Sequence, residues 1–195
     1  EERKVNPAFD RWFADWFISE YTIDDLKDCA PGTVGGIYHK VATEGSYEVQ
    51  IVPNFQPKTQ WEFYSLRSGQ THDYEHILTG GGFNYMGELI PYWFRLSTMH
   101  RHLRNQELAG EMSVMSILGT TRYVIRTMLH YPQVWNCALD CIQQGIRIGR
   151  ESEPFWMAKI EDVWHLPLEE ARRTLGIRGA VDLDTRAEGD IWGEV

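Results

Sequence analysis

Apolar residues recur along most of the chain at intervals of three and four, which is the spacing of a helix with one buried face. This pattern predicts helices over 7–19, 59–79, 108–129, 134–148 and 167–176, with further starts at Thr22, Glu88 and Glu153. Strand-like alternation occurs only over 46–52, a stretch short enough to be an extended loop. We therefore predict an all-α fold, a single helical domain over 1–195 with loose termini at 1–6 and 181–195.

The first predicted helix is unusually aromatic. Its aromatic residues recur at helical spacing: Phe9, Trp12, Phe13, Trp16 and Phe17. Asn6 and Pro7 suit the N-cap and the first helical position. An amphipathic helix of this kind normally packs into the protein core, and the alternative is an interfacial helix at a membrane or partner surface.

The helix over 59–79 carries the candidate chemistry. His72 and His76 lie one turn apart and about 40° apart around the helix axis, so both imidazoles can face one metal ion. Gly80–Gly82 ends the helix, because three glycines continue a helix poorly and readily adopt positive φ. Glu88 opens the next apolar segment, and a turn through the glycines can return it to the histidines as an oxygen ligand. Ser68-Gly69 is the one place where this helix could be interrupted.

Asp73 has no single predicted role. It lies about 100° from His72 and about 60° from His76 around the helix. It could ligate the metal, orient a ligand, or act as a base. Two nitrogen ligands and up to two oxygen ligands suit Zn²⁺ or another divalent transition metal such as Fe or Mn, and the spacing does not choose among them.

Composition limits the partners. The 195 residues carry a net charge of −9, which argues against nucleic-acid binding and against attraction to anionic membranes by bulk charge. No apolar run reaches the roughly 18 residues of a membrane span. Cys137 and Cys141 are four apart in a helical pattern, which favours two buried thiols and a reducing compartment.

Two other groups of polar residues are weaker candidates. Arg122 and Arg126 lie one turn apart in an apolar helix, where they would pair with acids such as Glu107 or Glu111, or else bind a substrate carboxylate or phosphate. The pairing is the favoured interpretation. A second group, His100 and His102 with the neighbouring arginines, forms either a solvated face or a contact for an acidic head group.

The motif residues resemble the Coq-four family of coenzyme Q (ubiquinone) biosynthesis proteins. The family signature is His-Asp-x-x-His, eleven residues, then Glu, and 72–88 fits that spacing without a gap. Further segments are similar to the family: Pro31-Gly32-Thr33-Val34-Gly35, His76-Ile77-Leu78-Thr79-Gly80 and Trp164-His165-Leu166-Pro167. Together they extend over most of the chain from about Cys29 to Ile177.

The resemblance implies an all-helical fold and a metal held by four residues: His72, Asp73, His76 and Glu88. It implies zinc, with Fe, Mn or Mg as alternatives, and catalytic roles for Asp73 and Glu88. The substrate would be a prenylated quinone precursor or another isoprenoid lipid. Its tail would enter an apolar pocket while its ring is oxidatively decarboxylated at carbon 1. A metallohydrolase is disfavoured, because the motif lacks the usual glutamate base.

The resemblance also implies partners and a location. We expect other quinone biosynthesis proteins and a second copy of the chain as partners, and a peripheral contact at the inner membrane from the cytoplasm, or from the matrix face in a mitochondrion. The alternative to an enzyme is a non-catalytic protein that binds prenyl lipids and organises a quinone biosynthesis complex.

Overall fold

The computed structural model describes residues 1–45 and 55–180, and within these ranges the fold is all-α, as predicted. The helices are α1 Glu2–Val5, α2 Pro7–Asp15, α3 Val34–Glu44, α4 Gln60–Thr79, α5 Leu89–His102, α6 Gln106–His130, α7 Trp135–Glu151 and α8 Leu168–Thr174. Short 3₁₀ segments lie at Ile23–Leu26, Pro132–Val134, Phe155–Met157 and Ile160–Val163. The predicted strand or loop at 46–52 and the predicted loose end at 181–195 lie outside the described residues.

Helix α4 runs through the middle of the molecule, and local sequence signals set both of its ends. Thr59 caps the start, with its hydroxyl accepting from the Glu62 backbone N–H while the Glu62 carboxylate accepts from the Thr59 N–H. Gly80 ends the helix in the left-handed conformation, at φ 84°. The helix is continuous through Ser68-Gly69, so the interruption considered there does not occur.

Helix α5 lies beside α4 and packs against both α6 and α7. Its apolar residues Leu89, Ile90 and Phe94 are fully buried in the larger of two hydrophobic clusters. Trp93 fixes α5 to α6 by donating its indole N–H to the Thr120 hydroxyl at 2.8 Å. The start of α5 is therefore held firmly in the protein, and Glu88 lies at that start.

The aromatic face of α2 is part of the core, as expected for an amphipathic helix. Phe9, Trp12 and Phe13 are buried and pack with Phe63 of α4 and with Trp156. These residues form the second hydrophobic cluster. The helix is shorter than predicted, because the chain leaves it at Trp16 with φ 46°.

The prediction of a loose segment at 1–6 was wrong. These residues include α1, and the Glu2 side chain is only 4% exposed. Its carboxylate accepts hydrogen bonds from the backbone N–H groups of Arg104 and Asn105, at 3.0 and 2.9 Å. A carboxylate at the amino end of α6 is stabilised by the unpaired N–H groups there, and this contact orders the first residues.

Candidate metal centre

Three of the four predicted ligands converge on one point. His72 and His76 come from α4, Glu88 comes from the N-cap of α5, and one ligand atom of each lies within 4.8 Å of the others. The Nε2 atom of His72 lies 3.2 Å from Glu88 Oε2, and the Nε2 atom of His76 lies 3.5 Å from Glu88 Oε1. Both imidazoles therefore point the same nitrogen at the same carboxylate.

Hydrogen bonding and stacking fix the orientation of the His76 ring. Its Nδ1 lies 3.1 Å from the Gly82 carbonyl oxygen, which can only accept a hydrogen bond. Nδ1 must therefore carry the proton, and in the neutral ring Nε2 keeps a lone pair directed towards Glu88. Phe83 stacks on the same ring, with centroids 4.8 Å apart and planes at 24°, which restricts its rotation.

The loop after α4 returns Glu88 to the histidines, as the glycines predicted. Asn84 organises the turn, with its side-chain oxygen accepting from Gly87 N–H and its backbone oxygen from Glu88 N–H. The turn is so tight that a Cβ atom on Gly87 would lie 1.9 Å from the Gly82 carbonyl oxygen. A residue with a side chain cannot occupy position 87 unless the loop moves.

The three residues and their neighbours shift one another's pKa values. Burial alone would lower the pKa of the His72 imidazole, but the Glu75 and Glu88 carboxylates outweigh burial and raise this pKa to about 9. Burial alone would raise the pKa of Glu88, but the neighbouring imidazoles of His72 and His76 hold it far below its usual value. Near neutral pH the metal-free site thus contains an ionised Glu88 and a protonated His72.

Asp73 does not join the group. Its carboxylate faces α3 and accepts a hydrogen bond from the Tyr38 hydroxyl at 2.7 Å. The reason is its position on the helix, about 100° from His72, which points it away from the nitrogens that face Glu88. The four-ligand set implied by the resemblance is therefore three residues here, with Asp73 beside them against Tyr38.

Sequence reasoning missed two buried charged residues next to the site. Glu75 is fully buried, and its carboxylate lies 3.8 Å from His72 Nδ1. Arg95 of α5 donates from its Nε to the other oxygen of Glu75, at 2.8 Å. The spacing of Glu75, three residues after His72, does place both on one helix face and was the available signal.

The two weaker groups of polar residues make the following contacts in the structure. Arg122 is exposed and lies over the Tyr123 ring, and Arg126 lies over the Tyr85 and Tyr131 rings, 5.9 and 5.8 Å from their centroids. The predicted pairing of Arg122 with Glu111 is wrong, because eleven helical residues separate the two by about 16 Å. His102 instead hydrogen-bonds the Ser152 carbonyl, a contact between the ends of α5 and α7.

The remaining predictions about the surroundings have mixed outcomes. Cys137 and Cys141 are buried thiols, as predicted. No helix among the described residues is both long enough and apolar enough to cross a membrane.

The apolar pocket expected beside the ligands stays a prediction. A cavity of about 460 Å³ at the starts of α4 and α6 has Trp61 and Tyr64 in its lining and none of the ligand candidates.

The fold and the site define an all-α protein with a candidate metal centre of two histidines and one carboxylate. The family model described as coenzyme Q (ubiquinone) biosynthesis protein Coq4 matches residues 17–180. The chain therefore belongs to the Coq4 family, as the sequence resemblance indicated.

A solved structure shows the same fold. It is the crystal structure of a Nostoc punctiforme protein named for a role in ubiquinone biosynthesis, and it superposes with a TM-score of 0.68 at 21% sequence identity. The match covers 90% of this chain and 77% of the Nostoc chain. At this identity the likeness concerns the fold alone. No curated protein sequence matches the chain.

Proposed function

We propose that this protein is a metal-dependent enzyme of ubiquinone biosynthesis that acts on the ring of a prenylated precursor. In the proposed reaction the carboxylate leaves ring carbon 1 and a hydroxyl group takes its place. This exchange is an oxidation, so it requires an oxidant such as dioxygen. The observation that carries the proposal is the convergence of His72, His76 and Glu88 in a protein of the Coq4 family.

The three residues fit a divalent metal ion. Two imidazole nitrogens and the two oxygens of one carboxylate form a donor set that suits Zn²⁺, Fe²⁺ or Mn²⁺ better than Mg²⁺, which prefers oxygen ligands. Zinc is the first choice from the resemblance. A bound metal would supply Lewis-acid polarisation of a substrate oxygen. Glu88 would provide the negative charge that holds the ion, and Asp73 remains the proposed catalytic carboxylate beside it.

The aromatic side chains around the ligands support a planar substrate. Phe83 lies against His76, and Tyr92 lies over His72 with ring centroids 5.5 Å apart. Tyr123 of α6 lies 6.1 Å from Tyr92. We propose that the quinone ring binds among these residues, because stacked aromatic faces favour a flat ring and exclude water from it.

Metal analysis of the purified protein tests the proposal directly. We expect about one equivalent of a divalent metal in the wild type and a clear loss in His72→Ala, because removing one of three ligands weakens binding strongly. His100→Ala is the matched control, since His100 is exposed and lies outside the site. Equal metal content in all three proteins would contradict the proposal.

The substrate is tested in cells that lack the gene. Accumulation of a ring-carboxylated prenylated precursor, measured by mass spectrometry and reversed by the wild type but not by Glu88→Ala, supports the enzyme. If Glu88→Ala restores quinone synthesis fully, the metal centre is not catalytic and the scaffolding alternative stands.

One observation favours that alternative. Helix α6 exposes apolar side chains along one face: Val114, Met115, Ile117, Leu118, Ile125, Met128 and Leu129. Apolar faces of this size are typical of surfaces that bind another molecule. The face can equally serve an enzyme that assembles with other quinone biosynthesis proteins, so the test with Glu88→Ala decides between the two roles.

A further inference from the structure

We infer that Glu75 is the positioning residue of the His72 ligand: together with Arg95, it fixes the imidazole so that Nε2 is offered to the metal. This inference rests on the proposed metal centre and assigns a role to two residues outside the ligand set. It starts from the fully buried Glu75 carboxylate. One oxygen accepts from Arg95, whereas the other has no hydrogen-bond partner among the described residues and faces His72 Nδ1 at 3.8 Å.

A buried carboxylate oxygen without a partner is unfavourable, so a role is expected for it. His72 Nδ1, 3.8 Å away, is a ring nitrogen that can donate to it. If Nδ1 holds its proton towards Glu75, Nε2 is left free for a metal beside Glu88. Histidine ligands in metalloproteins usually donate their second N–H in this way, and His76 does so to the Gly82 carbonyl.

Arg95 keeps Glu75 in place. The guanidinium is buried, and besides Glu75 it donates to the Ser68 hydroxyl, the Ser68 carbonyl and the Thr71 hydroxyl. These contacts fix it against two consecutive turns of α4. Because Arg95 holds one carboxylate oxygen, the other oxygen stays directed towards His72 Nδ1.

Glu75→Gln tests the role with little change of shape. The Arg95 Nε–H must face an acceptor, so the amide oxygen of the substituted side chain turns to Arg95 and its amide NH₂ faces His72 Nδ1. A donor at that position favours an unprotonated Nδ1 and moves the proton to Nε2, where it opposes metal binding. We expect Glu75→Gln to bind Zn²⁺ at least tenfold more weakly in a competition titration.

The matched control is Glu161→Gln. Glu161 is another acid whose buried carboxylate oxygens have no hydrogen-bond partner in the described part of the chain, and it lies outside the ligand group. We expect its Zn²⁺ affinity to stay within twofold of the wild type. The visible spectrum of bound Co²⁺ is a second readout, and it should change in Glu75→Gln alone.

Thermal unfolding of the metal-free wild type and variants shows whether Glu75→Gln weakens Zn²⁺ binding only because it destabilises the fold. If Glu75→Gln does not fold, the double variant Glu75→Leu/Arg95→Met removes the buried ion pair as a whole, an exchange that proteins often tolerate. A folded double variant with weakened Zn²⁺ binding supports the inference as well.

The outcomes separate the two claims. A wild type that takes up no divalent metal contradicts the proposed function. A wild type that binds Zn²⁺ together with unchanged binding in folded Glu75→Gln or in the double variant overturns the role of Glu75 alone. Equal weakening in Glu75→Gln and Glu161→Gln overturns it too, because the loss would then be general to buried acids.

Discussion

At the scale of single residues, a proton on His72 would compete with the proposed metal for the same ring nitrogen. In the metal-free protein His72 lies between two carboxylates, with Nε2 facing Glu88 and Nδ1 facing Glu75. With a pKa of about 9, its ring is protonated at pH 7 and its positive charge lies between the two acidic side chains. With the Nε2 proton removed, the same geometry would offer this nitrogen to the proposed metal beside Glu88.

A pH dependence follows from this exchange. Metal binding at pH 7 should release about one proton, since the ligand must be neutral imidazole, and affinity should rise about tenfold per pH unit below pH 9 and then level off. Glu88 is ionised throughout and adds nothing to this change. The number of protons released on metal binding is measured by calorimetry at pH 7 in buffers of different ionisation enthalpy. A metal affinity that does not change between pH 7 and pH 9 would contradict the raised pKa of His72.

Stability of the metal-free protein should change in the opposite direction. Because the pKa of His72 is higher in the folded state than in the unfolded chain, its contribution to the free energy of unfolding is complete below about pH 6.5. That contribution is lost as pH rises towards 9. Denaturant titrations of His72→Ala beside the wild type isolate this contribution.

The residue scale is also where sequence reasoning was weakest. The sequence was sufficient to predict the grouping of His72, His76 and Glu88, because helical spacing and a glycine turn define their positions. Asp73 was ambiguous, since its partner Tyr38 lies on α3 and no local pattern specifies where α3 packs. Arg95 was missed for the same reason: its pairing with Glu75 joins two helices.

At the scale of elements, the junction of α4 and α5 determines the site. Gly80 terminates α4, and Gly87 allows the chain to turn back within a few residues. The end of α4 at the glycines was readable from the sequence, because left-handed helix ends depend on local residue types. The burial of Glu2 was not readable, since it depends on where the amino end of α6 lies.

Gly87→Ala tests the junction. The added Cβ meets the Gly82 backbone, so the loop must shift, and Glu88 with it. We expect a loss of roughly 1–3 kcal/mol in the free energy of unfolding, as for other strained substitutions, and a metal affinity at least tenfold lower. Denaturant titration and metal competition measure the two effects.

Gly69→Ala is the matched control for this substitution. Gly69 lies within α4, and a Cβ there meets no atom within 4 Å. Alanine should stabilise the helix by about 0.5–1 kcal/mol and leave metal binding unchanged. Equal metal affinity in Gly87→Ala and Gly69→Ala would show that the position of Glu88 does not depend on the tight turn.

At the scale of the whole molecule, the exposed face of α6 is the feature that the fold leaves uncovered. Val114, Leu118, Ile125 and Leu129 lie within about 60° of one another around the helix. We propose that a second copy of the chain covers it, α6 against α6 about a two-fold axis. The net charge of −9 disfavours an anionic lipid surface as the occupant.

Leu118→Glu should separate the copies. Leu118 is 59% exposed, so the substitution leaves the folded chain intact but places a charge in the proposed interface. We expect the wild type to sediment at twice the chain mass and Leu118→Glu at the mass of one chain. Leu139→Glu changes an exposed leucine of α7 and serves as the control.

Two results would count against the dimer. One is a wild type that sediments as a single chain in detergent-free buffer. The other is a wild-type single chain that floats with phosphatidylcholine vesicles while Leu118→Glu does not, which would assign the face to the membrane contact predicted from the family resemblance.

The junction between α4 and α5 has one more consequence. An ion held by His72, His76 and Glu88 would join α4 to the start of α5 across the glycine loop, and so act as a reversible cross-link. Opening of that loop would then require loss of the ion. In a cell short of the metal, the metal-free protein would unfold locally more often and be degraded faster. Its abundance would therefore fall, and inactive protein would not accumulate.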